Sequence, residues 1–85
     1  MSDEALVLDI LDRTLTLGGR AQQMTHETPL LGALPELDSM AVAWLVAALE
    51  RELDIRIEDD EISAELFATV GTLTDFVARK RATRG

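Results

Sequence analysis

The sequence predicts an all-α fold, a small four-helix bundle of three main helices and one short helix with a long loop between the first two helices. Three segments repeat apolar residues at the i, i+3, i+4 spacing of an amphipathic helix. Strand-like alternation is confined to residues 54–57, which is too short to predict a strand. The chain of 85 residues suits a single domain, 1–85, with an ordered core over about 3–81.

The first helix is predicted over about residues 3–17. Apolar residues at helical spacing follow Ser2, Asp3 and Glu4, whose side chains suit the N-terminus of a helix. The pair Gly18-Gly19 follows as a stop signal. This segment should therefore place one apolar face on the core.

A long ordered loop is predicted over residues 20–37. This stretch lacks helical periodicity and contains two prolines and Gly32, all typical of loops. We expect Met24, Leu30 and Leu31 to anchor it to the core. A loop of this length in so small a domain is usually functional.

The second helix is predicted over about 39–53, with Asp38 as its N-cap, because an Asp side chain accepts from free N–H groups of the first turn. One sector of this helix is a normal core stripe, made of Val42, Leu45, Val46, Leu49 and Leu53. The opposite side carries Met40, Trp44, Ala47 and Ala48 where charged residues would be expected. Either the loop covers this side, or it is an exposed docking patch.

The remaining helices are predicted to be a short one over about 63–67 and a last one over about 70–81. Thr69, or the capping pattern at 72–75, introduces the last helix. The acidic run 58–61 lacks the alternating ligands and glycine of a calcium loop, so no metal site is predicted. The bases of the tail 79–85 are expected to be solvated; they are Arg79, Lys80, Arg81 and Arg84.

Charge and composition exclude several classes of function. The net charge of -8, from 16 acids and 8 bases, argues against binding to nucleic acid or anionic lipid. The acidic N-terminus is unlike a signal peptide, and no apolar run reaches membrane-spanning length. We therefore expect a cytoplasmic protein with no membrane insertion. The chain has no cysteine, so a thiol would have to be supplied by a cofactor.

The order of three segments carries a resemblance to a known family. The sequence LDSM at 37–40 is followed by ALERELDIRIEDDE at 48–61 and by FATVGTLTDFV at 67–77. Together they resemble the acyl carrier proteins over about residues 36–78. The resemblance implies that a phosphopantetheinyl transferase attaches 4'-phosphopantetheine from coenzyme A to Ser39. It also makes Asp38 the motif acid and Met40 an apolar neighbour that touches partner enzymes.

The second helix departs from the pattern of fatty-acid-synthesis carriers, which place acids soon after the serine. Here residues 41–44 are apolar and acids resume only at Glu50, so charge steering toward basic partners is missing. We expect a monomer that docks an acyl-activating ligase or an acyltransferase through apolar side chains. The expected docking residues are Met40, Ala41, Ala43, Trp44 and Ala47. The stretch LLGALPELDSMAV resembles carriers associated with exosortase and exopolysaccharide gene clusters.

Two alternative functions remain open, and a third is rejected. The LDSM motif also resembles D-alanyl carrier proteins, which implies an aminoacyl cargo as the alternative. A helical interaction module that is never modified would use Met40 and Trp44 alone. A hydrolytic triad of Ser39, His26 and Asp38 is rejected, because Asp38 adjoins the serine and a triad needs the acid beyond the imidazole. No enzymatic activity is therefore predicted. In a carrier, Leu45, Val46 and Leu49, with apolar residues of 67–77, would line a space for an acyl chain.

Overall fold

Three α-helices and two short 3₁₀ turns form the protein, whose computed structural model describes residues 2–83. The elements, in order, are α1 (Asp3–Leu15), a 3₁₀ turn (Arg20–Gln23), α2 (Ser39–Leu53), a 3₁₀ turn (Asp59–Glu61) and α3 (Val70–Thr83). Helix α1 packs against both α2 and α3. Strand-type pairing within the described residues is limited to one isolated bridge. The predicted all-α class with three main helices is confirmed.

Capping interactions fix the ends of α1. The Ser2 side chain accepts from the amide of Ala5 at 3.1 Å, which satisfies one free N–H of the first turn. The helix ends at Leu15 and not at residue 17, because Thr16 adopts a left-handed conformation with φ 54°. The amide of Leu17 donates to Asp12 O as in the Schellman motif, and the amide of Thr16 donates to the same oxygen as in the αL motif.

The core draws on all three helices and on the segments between them. Its largest fully buried side chains are Val7, Ile10, Leu11, Leu30, Leu45, Leu49, Phe67, Val70, Leu73 and Val77. Four residues of the predicted α2 stripe are buried, and Val42 is partly buried against them. Apolar burial at about 25 cal/mol per Å² makes this cluster the main source of stability.

The loop between α1 and α2 is anchored by backbone and apolar contacts. The amides of Leu30 and Leu31 donate to Ala68 O and Phe67 O at 3.0 and 2.9 Å. Leu30 is fully buried and Met24 is partly buried, as expected, but the Leu31 side chain is 40% exposed. The expectation that Leu31 anchors the loop is therefore wrong, because only its backbone is fixed.

The short helix predicted over 63–67 is also wrong. Residues 64–67 form a turn, in which Ser63 Oγ accepts from the amide of Leu66 at 3.2 Å. The amide of Ala68 donates to Glu65 O, three residues back, so these bonds are those of turns and not the i to i−4 bonds of an α-helix. The nearest short helical segment is instead Asp59–Glu61.

Two bases near the end of α3 bind acids elsewhere in the chain. Lys80 Nζ lies 2.7 Å from Glu61 Oε1, and Arg81 pairs with Asp3 at the start of α1. The expected solvated tail is therefore wrong for these two residues, because α3 continues to Thr83. Arg84 lies outside the described residues. Within 2–83, none of the helices combines the length and apolar character needed to span a bilayer.

Candidate functional site

Ser39 is the first residue of α2, and Asp38 is its N-cap as predicted. Asp38 Oδ1 accepts from the amide of Ala41 at 2.8 Å. Both Asp38 and Ser39 are exposed. Within the described residues the Ser39 hydroxyl makes no hydrogen bond, because the neighbouring carboxylate does the capping. The serine oxygen is therefore accessible and is not needed to hold the helix end.

The electrostatics at this position favour a negative group on the serine. The free amides of the first turn and the helix dipole place about half a positive charge at the N-terminus. No acidic residue lies in the first turn of α2. The Asp38 carboxylate takes one of these first-turn amides, that of Ala41, and the others remain for a phosphate ester on Ser39, as for anions at other helix N-termini.

An open groove of ≈ 320 Å³ adjoins Ser39. Its lining comes from the loop before α2, from α2 and from the segment before α3, and consists of Leu31, Ser39, Val42, Ile62, Ser63, Ala64 and Phe67. Most of these side chains are apolar, so the groove suits an apolar group attached near the serine.

The sequence did not identify Leu31, Ile62 or Ala64 as site residues. They lie in the loop before α2 and in the segment before α3. Both segments are irregular, so no periodic pattern in the sequence predicts which of their side chains line the groove. Of the residues expected to line an acyl space, Phe67 does line this groove, whereas Leu45 and Leu49 are instead fully buried in the core. The open space therefore lies over Phe67 at the surface.

The outward side of α2 is exposed. Met40 is 62% and Trp44 57% exposed, and Ala43 and Ala47 are also exposed. The alternative in which the loop covers Trp44 is thus wrong. Large exposed apolar side chains that lie together indicate an interaction surface.

Two alanines do not belong to that surface. Ala41, expected among the docking residues, is only 3% exposed, and Ala48 only 4%. They lie seven positions apart and so share one side of α2 with Leu45 between them. Their burial is a correction to the sequence-based assignment, and it leaves Met40, Ala43, Trp44 and Ala47 as the exposed set.

A second groove, of ≈ 360 Å³, lies between α1 and α2 beside Trp44. On α1, Arg13 Nε donates to Asp9 Oδ2 at 3.1 Å. Its Nη1 donates to Oε2 of Glu52 on α2, also at 3.1 Å. The guanidinium lowers the pKa of Glu52, and Glu52 and Asp9 raise the pKa of Arg13. This ion pair joins the two helices along the edge of the groove.

His26 serves the packing of the loop and has no contact that suggests catalysis. Its Nδ1 lies 3.1 Å from Glu4 Oε1 of α1, and its carbonyl accepts from the amide of Gly71 in α3 at 2.7 Å. The hydrogen bond to Glu4 raises the pKa of His26. The acid partner of the imidazole is therefore Glu4, and not Asp38.

The acidic run 58–61 is organised by its own backbone. The side chains of Glu58 and Glu61 form a reciprocal capping box around Asp59–Glu61, with Glu61 Oε1 accepting from the amide of Glu58 at 2.9 Å. Over residues 2–83, no group of three or more acidic or histidine side chains is placed to hold a metal ion.

Comparison with known proteins adds an independent finding. No protein-family model matches the sequence. The fold is similar to the solution NMR structure of a holo acyl carrier protein from Nitrosomonas europaea, with a TM-score of 0.90. The two sequences are 45% identical, over 96% of this chain and 99% of that chain. With this identity over nearly the whole length, the chain belongs to the acyl carrier proteins, which carry acyl groups and are not enzymes.

Proposed function

We propose that Ser39 is the attachment point of a 4'-phosphopantetheine arm, on which the protein carries an acyl group as a thioester. The observation that carries this proposal is the exposed hydroxyl at the first position of α2, free of any capping duty. The solved relative is a holo acyl carrier protein, which supports a modified serine in this chain as well.

The residues around Ser39 have separate roles in this proposal. Asp38 holds the helix end through Ala41 and leaves the serine accessible to a phosphopantetheinyl transferase. The first-turn amides stabilise the phosphodiester once it is formed. When bound, the arm supplies the thiol that forms the thioester, which agrees with a chain that has no cysteine.

The groove beside Ser39 favours an acyl cargo over an aminoacyl cargo. Its walls include Leu31, Val42, Ile62 and Phe67, so it can cover methylene groups but offers little to a charged ammonium group. An experiment in which Ser39 is loaded with either octanoyl- or D-alanyl-phosphopantetheine distinguishes the acyl cargo from the aminoacyl cargo. We expect shifts of backbone amide resonances at 31, 42 and 62 for the octanoyl form only, whereas equal shifts for both would remove this preference.

The exposed residues Met40, Ala43, Trp44 and Ala47 form the proposed docking surface for the enzymes that load or remove the cargo. We propose an acyl-activating ligase or an acyltransferase as this partner, in an exosortase- or exopolysaccharide-linked pathway. The absence of acids in the first turn of α2 supports a partner that does not depend on a basic surface. The single carrier domain, monomeric state and cytoplasmic location expected from the sequence are part of the same proposal.

Intact mass measurement tests the attachment. The purified protein and the Ser39→Ala variant are each incubated with coenzyme A, Mg²⁺ and a promiscuous phosphopantetheinyl transferase. We expect the wild type to gain one phosphopantetheine and Ser39→Ala to gain none. No gain on folded wild type, with a transferase active on another carrier, would instead favour an interaction module that is not modified.

A further inference from the structure

The charges near Trp44 differ from those of the protein as a whole. The chain has a net charge of -8, yet the groove between α1 and α2 is lined by two cations and one anion. Its full lining is Arg13, Thr14, Trp44, Ala47, Ala48, Arg51 and Glu52. An apolar floor is thus bordered by a rim that includes two arginines on an acidic protein, and the carboxylates of Asp9 and Glu52 both pair with the first of them, Arg13.

Arg51 is the cation of this rim that is available to a partner. Arg13 is held by Asp9 and Glu52 through hydrogen bonds. Arg51 lies 3.9 Å from Glu52 Oε2, too far for a hydrogen bond, and that carboxylate already accepts from Arg13. The Arg51 side chain is 71% exposed, so its guanidinium can form a new hydrogen-bonded pair at small cost.

Arg51 and Trp44 lie on one stripe of α2. Positions 40, 44, 47 and 51 follow the i, i+4, i+7, i+11 spacing that aligns side chains along a helix. Met40, Trp44 and Ala47 on this stripe are exposed, and Arg51 ends it. A partner helix that lies along the stripe would cover the apolar side chains at the N-terminal end of the stripe and the guanidinium of Arg51 at its C-terminal end.

We propose that this stripe and the adjoining α1–α2 groove bind a helix of the partner enzyme that carries an apolar face flanked by carboxylates. The apolar face covers Met40, Trp44 and Ala47, and one carboxylate pairs with Arg51. A guanidinium binds a carboxylate bidentately, which fixes the position of the helix. This inference rests on the proposed docking surface and names the chemistry of its partner.

Two model peptides test this recognition on the unmodified protein. Each is an amphipathic helix of about five turns with Leu on one face, flanked by Glu in one peptide and by Lys in the other. Trp44 is the only tryptophan, so the blue shift of its emission reports binding. We expect the Glu peptide to bind about fivefold more tightly than the Lys peptide, which corresponds to a difference in binding free energy of roughly 1 kcal/mol. The net charge of the protein alone would favour the Lys peptide.

A matched pair of variants separates the site from the net charge. Arg51→Glu and Arg56→Glu change the net charge equally, and the Arg56 side chain is 86% exposed and paired with Glu58, outside the groove. Arg51→Glu should reverse the preference, and Arg56→Glu should keep it. The proposal would be overturned if the wild type preferred the Lys peptide or bound neither peptide. It would also be overturned if the preference reversed in both variants. Because Ser39→Ala should bind the peptides like wild type, failure here is distinct from failure of serine modification.

Discussion

The imidazole of His26 occupies the space into which a side chain at position 71 would project. A Cβ built on Gly71 would lie 2.4 Å from His26 Nε2. On its other side the ring contacts Glu4, with 3.1 Å between Nδ1 and Oε1. The glycine in α3 thus allows one loop residue to join α1 and α3.

This contact predicts an interaction between substitutions at positions 26 and 71. Alanine is better than glycine inside a helix by about 0.5–1 kcal/mol, but its methyl group would displace the His26 ring. Because Gly71 is the second residue of α3, Gly71→Ala should raise the free energy of unfolding by at most this amount in a His26→Ala background and by clearly less in wild type. Urea denaturation of the four proteins measures both effects. An equal gain in the two backgrounds would show that the ring moves aside freely.

The hydrogen bond between His26 and Glu4 predicts a pH dependence of the free energy of unfolding. Glu4 raises the pKa of His26 above its ordinary value of 6.5, with smaller contributions from Asp75 and Glu27. A raised pKa in the folded state stabilises the protein fully below pH 6.5, and this contribution is lost as pH rises through the folded-state pKa.

We therefore expect the urea midpoint of wild type to fall between about pH 6 and pH 8, and the fall to be smaller in Glu4→Gln. The His26→Gln variant removes the titrating group and serves as the control. NMR titration of the imidazole checks the direction of the shift independently. A midpoint that changes equally in wild type and His26→Gln would assign the dependence to other groups.

Substitutions at Asp38 and Ser39 should separate capping from modification. Asp38→Ala removes the acceptor of the Ala41 amide and should lower the free energy of unfolding by about 1 kcal/mol, whereas Asp38→Asn should restore most of it. Ser39→Ala should change it by less than about 0.5 kcal/mol. Urea unfolding of the unmodified variants measures these effects, and a large loss in Ser39→Ala would mean that the hydroxyl has a structural role.

Trp44 should behave as a surface residue. Because its side chain is 57% exposed, we expect emission typical of a solvated indole and efficient quenching by acrylamide. Trp44→Ala should alter the free energy of unfolding by no more than about 0.5 kcal/mol. Phe67→Ala, a fully buried position, is the contrasting variant and should cost about 3–5 kcal/mol. Blue-shifted emission protected from quencher would contradict the exposed surface.

Local patterns predicted the centre of the candidate site. The cap at Asp38 and the start of α2 depend on neighbours within one turn, so their residue types alone indicated them. The three main helices followed from periodicity for the same reason. The helix ends were predicted less accurately. The pair Gly18-Gly19 placed the end of α1 at about residue 17, whereas the left-handed conformation of Thr16 ends the helix at Leu15.

Contacts between distant residues account for what the sequence did not predict. The amide of Leu31 donates to Phe67 O while its side chain is 40% exposed, and the apolar character of the residue indicates neither fact. Small residues carry a similar ambiguity, because Ala41 and Ala47 look alike in sequence but only the first is buried. The pairing of Arg13 with Glu52 depends on how α1 lies on α2, which no local pattern encodes.

The two sides of α2 give this helix an evolutionary freedom that a wholly buried helix lacks. Leu45 and Leu49 are fully buried, while Ala43, Trp44 and Ala47 are exposed. Substitutions on the outer side can therefore accumulate with little effect on folding. Carriers within one cell could diverge in this way and avoid exchange of cargo between parallel pathways. Recoding this outer side should in turn allow the carrier to be redirected by engineering.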